Sequence, residues 1–478
     1  MEPGGSGPTD STGQSADQSF RFVTIQDPEE SKDRELRRSI RSHAVRQALQ
    51  SKRRDERSRS QHFRSAPSNP DPSHTREKAT QTRALASSPL STLGVIHSPS
   101  EDGEASLSRL KSLLRSDEAK QALEPVFSLG DEVALQNFRS VFRTGVDDPA
   151  LLNAVLLTAT FAATKNVLDH EYLQYQGETI RAIRERISVS DPTTTVSTMG
   201  AILLLAGIET RLGMRAQVEI HLKAIHRLLE SSKIGQVYLT DGIKRAIFWQ
   251  DLYAHILTAS ERIVTHNTFH ELRWERDIFP PDIFVLSPGF QRKAQLFPEE
   301  FLEVLVDIHA MQCCRDSAFF AYEDTISMMH VDNQQAWVQS KLVGLPTLPF
   351  VQECCRWAVY LAASMLCCKI WRLSVIPPWI SAQLLQKLQQ QEQHDKSLWD
   401  GHGDLLAWTL YIGGAFAPAG AVRSGYVGLL RQEYASECGD LTASWPDLVD
   451  VLRQFVWSEK AFYQQVRSFW EEVMSGAG

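Results

Sequence analysis

From Ser106 to the end of the chain, apolar side chains recur with a period close to 3.6, and few stretches show the period-two alternation of β-branched residues that strands need. Leu107, Leu110, Leu113 and Leu114 make the first stripe. Asp147-Asp148-Pro149 then opens a strongly apolar segment over 151–167. The same pattern predicts helices over 171–187, 193–212, 216–229, 241–257, 298–328, 349–374, 380–396, 403–412, 422–437 and 445–473. Residues 274–297, with Pro280-Pro281 and Pro288, read instead as an irregular excursion across the surface. The expected class is all-α: a large array of about a dozen helices over 106–478.

At 478 residues and 42% apolar, the chain can bury a large core or two fused ones. Its densest apolar runs, 151–161 and 201–208, are shorter than the roughly 18–20 residues needed to span a bilayer. Met1-Glu2-Pro3-Gly4-Gly5-Ser6 has neither the cationic nor the apolar part of a secretory leader. Seven cysteines, an odd number, then point to reduced intracellular thiols. All 11 tryptophans lie at or beyond Trp249, so the C-terminal half should hold the bulky packing, with Trp249, Trp357, Trp371 and Trp408 expected in the core and the lining of a ligand cavity as the alternative.

Charge divides the chain differently. Residues 1–125 carry 20 Lys/Arg and 18 Asp/Glu, a net of +2, which leaves the remainder with 30 against 40, a net of −10. Residues 32–64 alone hold 12 cations and four acids. An acidic body repels polyanions and this compact basic stretch attracts them, so any nucleic-acid contact belongs to the head. Residues 1–105 are expected to be disordered except for one short basic helix at about 27–55. Asp27 can cap it, Pro28 suits its first position and Glu30 stands where a capping box places a carboxylate. On that helix Arg34, Arg37, Arg38 and Arg41 form one cationic stripe. Arg37-Arg38 and Lys52-Arg53-Arg54 are separated by 13 residues, close to a bipartite nuclear import signal that an importin groove would read. Two other uses stay open: salt-sensitive phosphate contact through the same Arg37, Arg38, Arg41, Lys52, Arg53 and Arg54, or a solvated linker helix. Ser88-Pro89 and Ser98-Pro99 in the linker of 65–105 could accept proline-directed phosphorylation, but an ordinary spacer is expected.

No chemistry-bearing motif stands out. Every cysteine lies beyond residue 312, and none belongs to a Cys-x-x-Cys pair. Cys313-Cys314, Cys354-Cys355 and Cys367-Cys368 are adjacent pairs, whose side chains point about 100° apart on a helix; Cys354 and Cys368 would stand ~21 Å apart. Zinc ligands need sulfurs within roughly 4 Å, so buried structural thiols are expected. His266 and His270 stand four apart with Glu271 after them, the reverse of the metalloprotease order; a polar loop is the simpler reading. Neither Gly-x-Ser-x-Gly nor the phosphate-cradling Gly-x-x-x-x-Gly-Lys-Ser/Thr occurs, and the segment from Gly413-Gly414 to Gly420 reads as a helix C-cap and turn. No catalytic residue, metal ligand or cofactor contact is assigned, and the chain is expected not to be an enzyme.

Several segments together resemble the fungal-specific transcription factor domain, the helical region usually found downstream of a zinc binuclear cluster. Phe22-Val23, Asp27-Pro28, Lys32-Asp33 and Arg37-Arg38-x-Ile40-Arg41-Ser42-His43 look like the leader of a subgroup that lacks the cluster. Glu219-Ile220-His221-Leu222-Lys223-Ala224-Ile225, ending in Leu228-Leu229, is similar to the family's helix before a Gly-Gly turn, here replaced by Ser231-Ser232-Lys233-Ile234-Gly235. Phe248-Trp249-Gln250-Asp251, with Leu406-Ala407-Trp408 and Ile412-Gly413-Gly414-Ala415-Phe416, resembles its C-terminal part. The resemblance implies a nuclear regulatory body that binds other transcription regulators, forms a homo- or heterodimer, or senses an effector. Its DNA contact would be weak or indirect, because the six zinc-binding cysteines have no counterpart. A helical scaffold or adaptor unconnected with transcription, and an enzyme with an unrecognised site, are the competing classes.

Overall fold

A computed structural model describes residues 101–116, 119, 148–189, 194–317, 325–366, 376–391 and 396–475. The chain divides into two units, 1–83 and 84–478, and all described residues lie in the second. They form sixteen α-helices, four 3-10 turns between α6 and α8, one further 3-10 turn and a π turn, with no strand among the described residues. The helices are α1 (Glu101–Leu113), α2 (Pro149–Ala163), α3 (His170–Val189), α4 (Thr195–Arg211), α5 (Arg215–Ile234), α6 (Asp241–Thr258), α7 (Pro288–Arg292) and α8 (Glu299–Asp316). They continue with α9 (Thr325–Gly344), α10 (Phe350–Leu366), α11 (Ile376–Gln391), α12 (Gly403–Ala415), α13 (Ala421–Gly428), α14 (Ala435–Thr442), α15 (Trp445–Leu452) and α16 (Glu459–Ser475).

Two helices buried on every side organise this array. α4 carries the run Ala201–Leu205 and packs against α2, α3, α5 and α6. α12 packs against α10, α11 and α13–α16. A helix apolar all round has no solvent face to offer, so its neighbours must enclose it. One continuous apolar core runs through both groups, and α6 joins them by touching α4, α5, α9 and α11. Trp249 of α6 and Trp408 of α12 are fully buried in it, while Trp357 is half-buried against Trp379 at 5.8 Å.

Local signals explain the starts of several elements. The Asp148 carboxylate accepts from the Leu151 amide at 3.1 Å and caps α2, with Pro149 following. The same carboxylate pairs with Arg186 of α3 at 2.5 Å and accepts the Ser197 hydroxyl of α4, so one cap ties three helices together. Thr240 caps α6 and Ser444 caps α15 in the same way.

Elsewhere the structure departs from the periodicity. α1 begins at Glu101, inside the segment expected to be linker. The helix expected over 298–328 is two, α8 and α9, and α9 continues to Gly344 through residues that showed no apolar stripe. The segment over 422–437 breaks into α13, a π turn at Leu429–Glu433 and α14. The segment over 445–473 is interrupted between α15 and α16. The helix end and turn expected over 413–420 are found: α12 ends at Ala415, Phe416 caps it and a turn follows to Gly420, with Gly413 and Gly414 in the last helical turn. A Cβ on Gly413 would stand 2.5 Å from the Tyr426 hydroxyl, and one on Gly414 2.1 Å from the Phe469 ring. These glycines let α13 and α16 press against α12. The irregular excursion is as expected, built of the 3-10 turns Arg276–Ile278, Pro281–Ile283 and Ala294–Leu296 with α7 between the last two.

Candidate functional site

The basic head, with Arg37, Arg38, Arg41, Lys52, Arg53 and Arg54, lies outside the described residues, as do Cys367, Cys368 and Trp371. The described polar residues collect instead around α9, which sequence periodicity missed. Asp332, Asn333, Gln334, Gln335, Gln339 and Ser340 are all buried there, interleaved with the buried Val331, Ala336, Val338 and Leu342. A helix with amides and a carboxylate facing inward on several sides has no apolar stripe for a pattern search to find. Burying such groups is costly unless each finds a partner, so the partners define what the helix is for.

Most of them are found. Arg245 of α6, itself 1% exposed, pairs with Asp332 and donates to the Asn333 side-chain oxygen at 2.6 Å and the Glu271 backbone oxygen at 3.0 Å. The Asn333 amide donates to the backbone oxygens of Glu271 and Arg273 at 3.0 and 2.9 Å. Lys244 pairs with the Glu271 carboxylate. Arg262 pairs with the fully buried Asp251 at 2.5 Å, and the same carboxylate accepts the Ile263 amide at 2.8 Å. Arg276 reaches from the 3-10 segment to Asp307 of α8 at 2.7 Å, while the Gln334 amide donates to the Asp307 backbone oxygen at 2.7 Å. On the α10 side, the Tyr360 hydroxyl donates to Gln339 at 2.8 Å. Four cations thus neutralise four carboxylates, and the bonds stitch residues 260–276 onto α6, α8 and α9.

Burial acts on the carboxylates. It raises Asp332 and Asp251 above the usual aspartate range, although Arg245 and Arg262 oppose it, and it pushes Asp307 up to about 6 against Arg276. His266 is held below its ordinary value by burial and by Lys341 and Arg262 nearby.

Several buried atoms of the layer have no partner, among them Asp307 Oδ2, Arg262 Nη2 and Trp274 Nε1. Gln335 is fully buried and neither its amide nitrogen nor its carbonyl oxygen has a partner; the Gln334 carbonyl oxygen is also unpaired. A buried amide without hydrogen bonds costs roughly 1–3 kcal/mol. Next to this layer sits an aromatic roof. Trp274 stands 5.5 Å from Trp337 and 5.9 Å from Phe284, Phe279 packs edge-on to Phe284 and His330, and the Lys341 ammonium lies 5.3 Å from the Trp337 ring.

The other sequence candidates resolve into structure. His266 meets the Ser340 hydroxyl at 3.1 Å, whereas His270 is exposed at the start of the turn His270–Leu272; no helix carries the two on one face. His221 pairs with the buried Glu209 at 2.9 Å, and His226 is exposed. Cys354, Cys355 and Cys438 are buried, and Cys313 and Cys314 are half-buried. Burial raises every one of these thiols, Cys314 to about 11 and Cys438 to about 12, which keeps them protonated and poorly nucleophilic. Cys313 lies 3.8 Å from His309 Nδ1, but that nitrogen also meets the Ile283 backbone oxygen at 3.1 Å and must donate to it, so it is not free to take the thiol proton. Among the described residues no group of three or more His, Cys, Asp and Glu is placed to hold a metal ion, and no helix is long and apolar enough to cross a membrane. No protein family, no curated protein and no solved structure matches this chain.

Proposed function

We propose that this chain is a transcription-factor-like regulatory protein without a zinc-cluster module of its own, acting in the nucleus through partner proteins. In this reading α9 is the element that answers a small molecule. The observation that carries it is the Gln335 amide, a donor and an acceptor both unpaired in the middle of a buried helix. A ligand with a carboxylic acid or amide edge would meet both, and the group costs stability without one. Gln335 is fully buried, so a ligand reaches it only when the packing around α9 opens.

A non-catalytic role is favoured by how the charges of this layer are used. Asp332, Asp251, Asp307 and Glu271 are each bound to a cation, and the described thiols are held protonated. Nuclear action is supported by the basic stretch of 32–64, and transcription by the resemblance of the leader and of the segments around Glu219, Phe248 and Leu406. The net charge of −10 beyond residue 125 favours protein partners over direct DNA contact by the body.

The test is localisation. A reporter fused to residues 20–66 should accumulate in the nucleus, and replacing Arg37, Arg38, Lys52, Arg53 and Arg54 together by Ala should abolish entry. In the full chain the same substitutions should remove chromatin crosslinking. Cytosolic retention of the parent fusion contradicts the reading.

A further inference from the structure

α5 buries one face and leaves the other bare. Val218, Leu222, Ile225 and Leu229 are buried, and the helix packs on α4 and α6. On the opposite side Ala216, Ile220, Lys223, Arg227, Ser231 and Ile234 recur at i, i+4, i+7, i+11, i+15 and i+18, and every one is exposed. Ile220 is 66% exposed and Ile234 87%. The chain then turns through Gln236, which holds a left-handed φ of 51° although it is not glycine, and presents Tyr238 at 78% exposure. Between the apolar ends stand Lys223 and Arg227, one turn apart and paired with no carboxylate among the described residues. The flanking acids are taken: Arg215 holds Glu219 and Lys233 holds Glu230, each at 2.8 Å, and Lys223 acts on Glu219 only at longer range.

We propose that this face of α5, with the turn to Tyr238, docks an acidic amphipathic segment of a partner protein. Carboxylates of the segment would stand opposite Lys223 and Arg227, with apolar side chains over Ile220 at one end and over Ile234 and Tyr238 at the other. Charge selects this occupant. A second copy laid antiparallel on the stripe would bring Lys223 and Arg227 against their own like. A nucleic acid would use the two cations but neither apolar end, and the body around them, with a net charge of −10 beyond residue 125, repels phosphates. An anionic lipid surface is read by clusters of about four to eight cations, more than this face offers. From Ile220 to Ile234 the stripe spans about 21 Å, which matches about four turns of a partner helix. The proposal rests on the reading that the chain acts through partner proteins, and adds the surface and its chemistry. The import test reads the head alone, so the two fail separately.

The test takes the full chain and a fluorescein-labelled synthetic helical peptide of about 20 residues, with leucines near both ends of one face and glutamates between them. Fluorescence anisotropy should show a dissociation constant of roughly 100 µM or tighter, weakened by added salt. The same peptide with lysines in place of the glutamates should bind about tenfold more weakly or not at all. Lys223→Glu with Arg227→Glu should weaken binding by about tenfold or more, and so should Ile234→Ser with Tyr238→Ser, which leaves the charge unchanged. All four positions are exposed, so neither pair should move the melting temperature. No binding up to about 1 mM peptide, binding that neither pair weakens, or equal affinity for duplex DNA or phosphatidylserine vesicles overturns the proposal.

Discussion

Gln335 and Gln339 stand one turn apart on α9, and what distinguishes them is a partner. Gln339 receives the Tyr360 hydroxyl at 2.8 Å, while both amide atoms of Gln335 have none. Replacing Gln335 by Met keeps the volume and removes an unsatisfied donor and acceptor, so the substitution should raise stability, by about 1 kcal/mol or more. Denaturant unfolding of the full chain measures this; a loss of stability would show that the amide is satisfied in solution and would remove the argument for a ligand. The same scale explains the glycines at the end of α12. Gly413 and Gly414 stand in its last turn, where Tyr426 and Phe469 occupy the space a Cβ would need. A sequence shows that a glycine is present; only the packing shows whether it turns the chain or admits a neighbour.

At the scale of elements, helices with one apolar face or none but apolar faces were legible. α3 and α6 fall within two residues of their expected bounds, and α5 and α10 start within one, because burial on a single face writes a 3.6 period into the sequence. α9 was not legible beyond residue 328. Its inward positions hold Asp332, Asn333, Gln334, Gln335 and Gln339, which are indistinguishable from surface residues until their partners on α6, α8 and α10 are known. The interruptions within 422–437 and 445–473 were hidden because apolar residues continue on both sides of each. The tie between α8 and the 3-10 segment has a pH signature. Asp307 is pushed up to about 6 by burial, with Glu303 adding to the shift and Arg276 and Lys341 opposing it. A carboxyl that binds its proton more tightly in the folded chain than in the unfolded one stabilises the fold most at low pH. That contribution is lost as the pH rises from near 4 to about 6. The melting temperature of the native chain relative to Asp307→Asn should therefore fall between pH 4.5 and pH 7; a constant difference would mean that Asp307 titrates normally.

For the whole molecule, the split between a cationic head and an acidic helical body could be read from charge and period alone, and the all-helical architecture follows from them. The buried polar layer could not, because it is assembled from α6, α8, α9, α10 and the 3-10 segment, whose polar residues are far apart in sequence. That layer also sets the central claim. α9 is buried over most of 331–342, though less completely than α4 and α12; of its buried positions only Val331, Ala336, Val338 and Leu342 are apolar, and its Gln335 is unpaired. Local opening is easiest where apolar contacts are few. Hydrogen exchange of the full chain, followed by mass spectrometry on peptides from the three helices, compares them directly. Amides of α9 should exchange at least about tenfold faster than those of α4 and α12, equivalent to about 1.4 kcal/mol easier opening. Protection of α9 equal to that of α4 and α12 would contradict the account, since a rigid, fully satisfied helix has no reason to respond to a ligand.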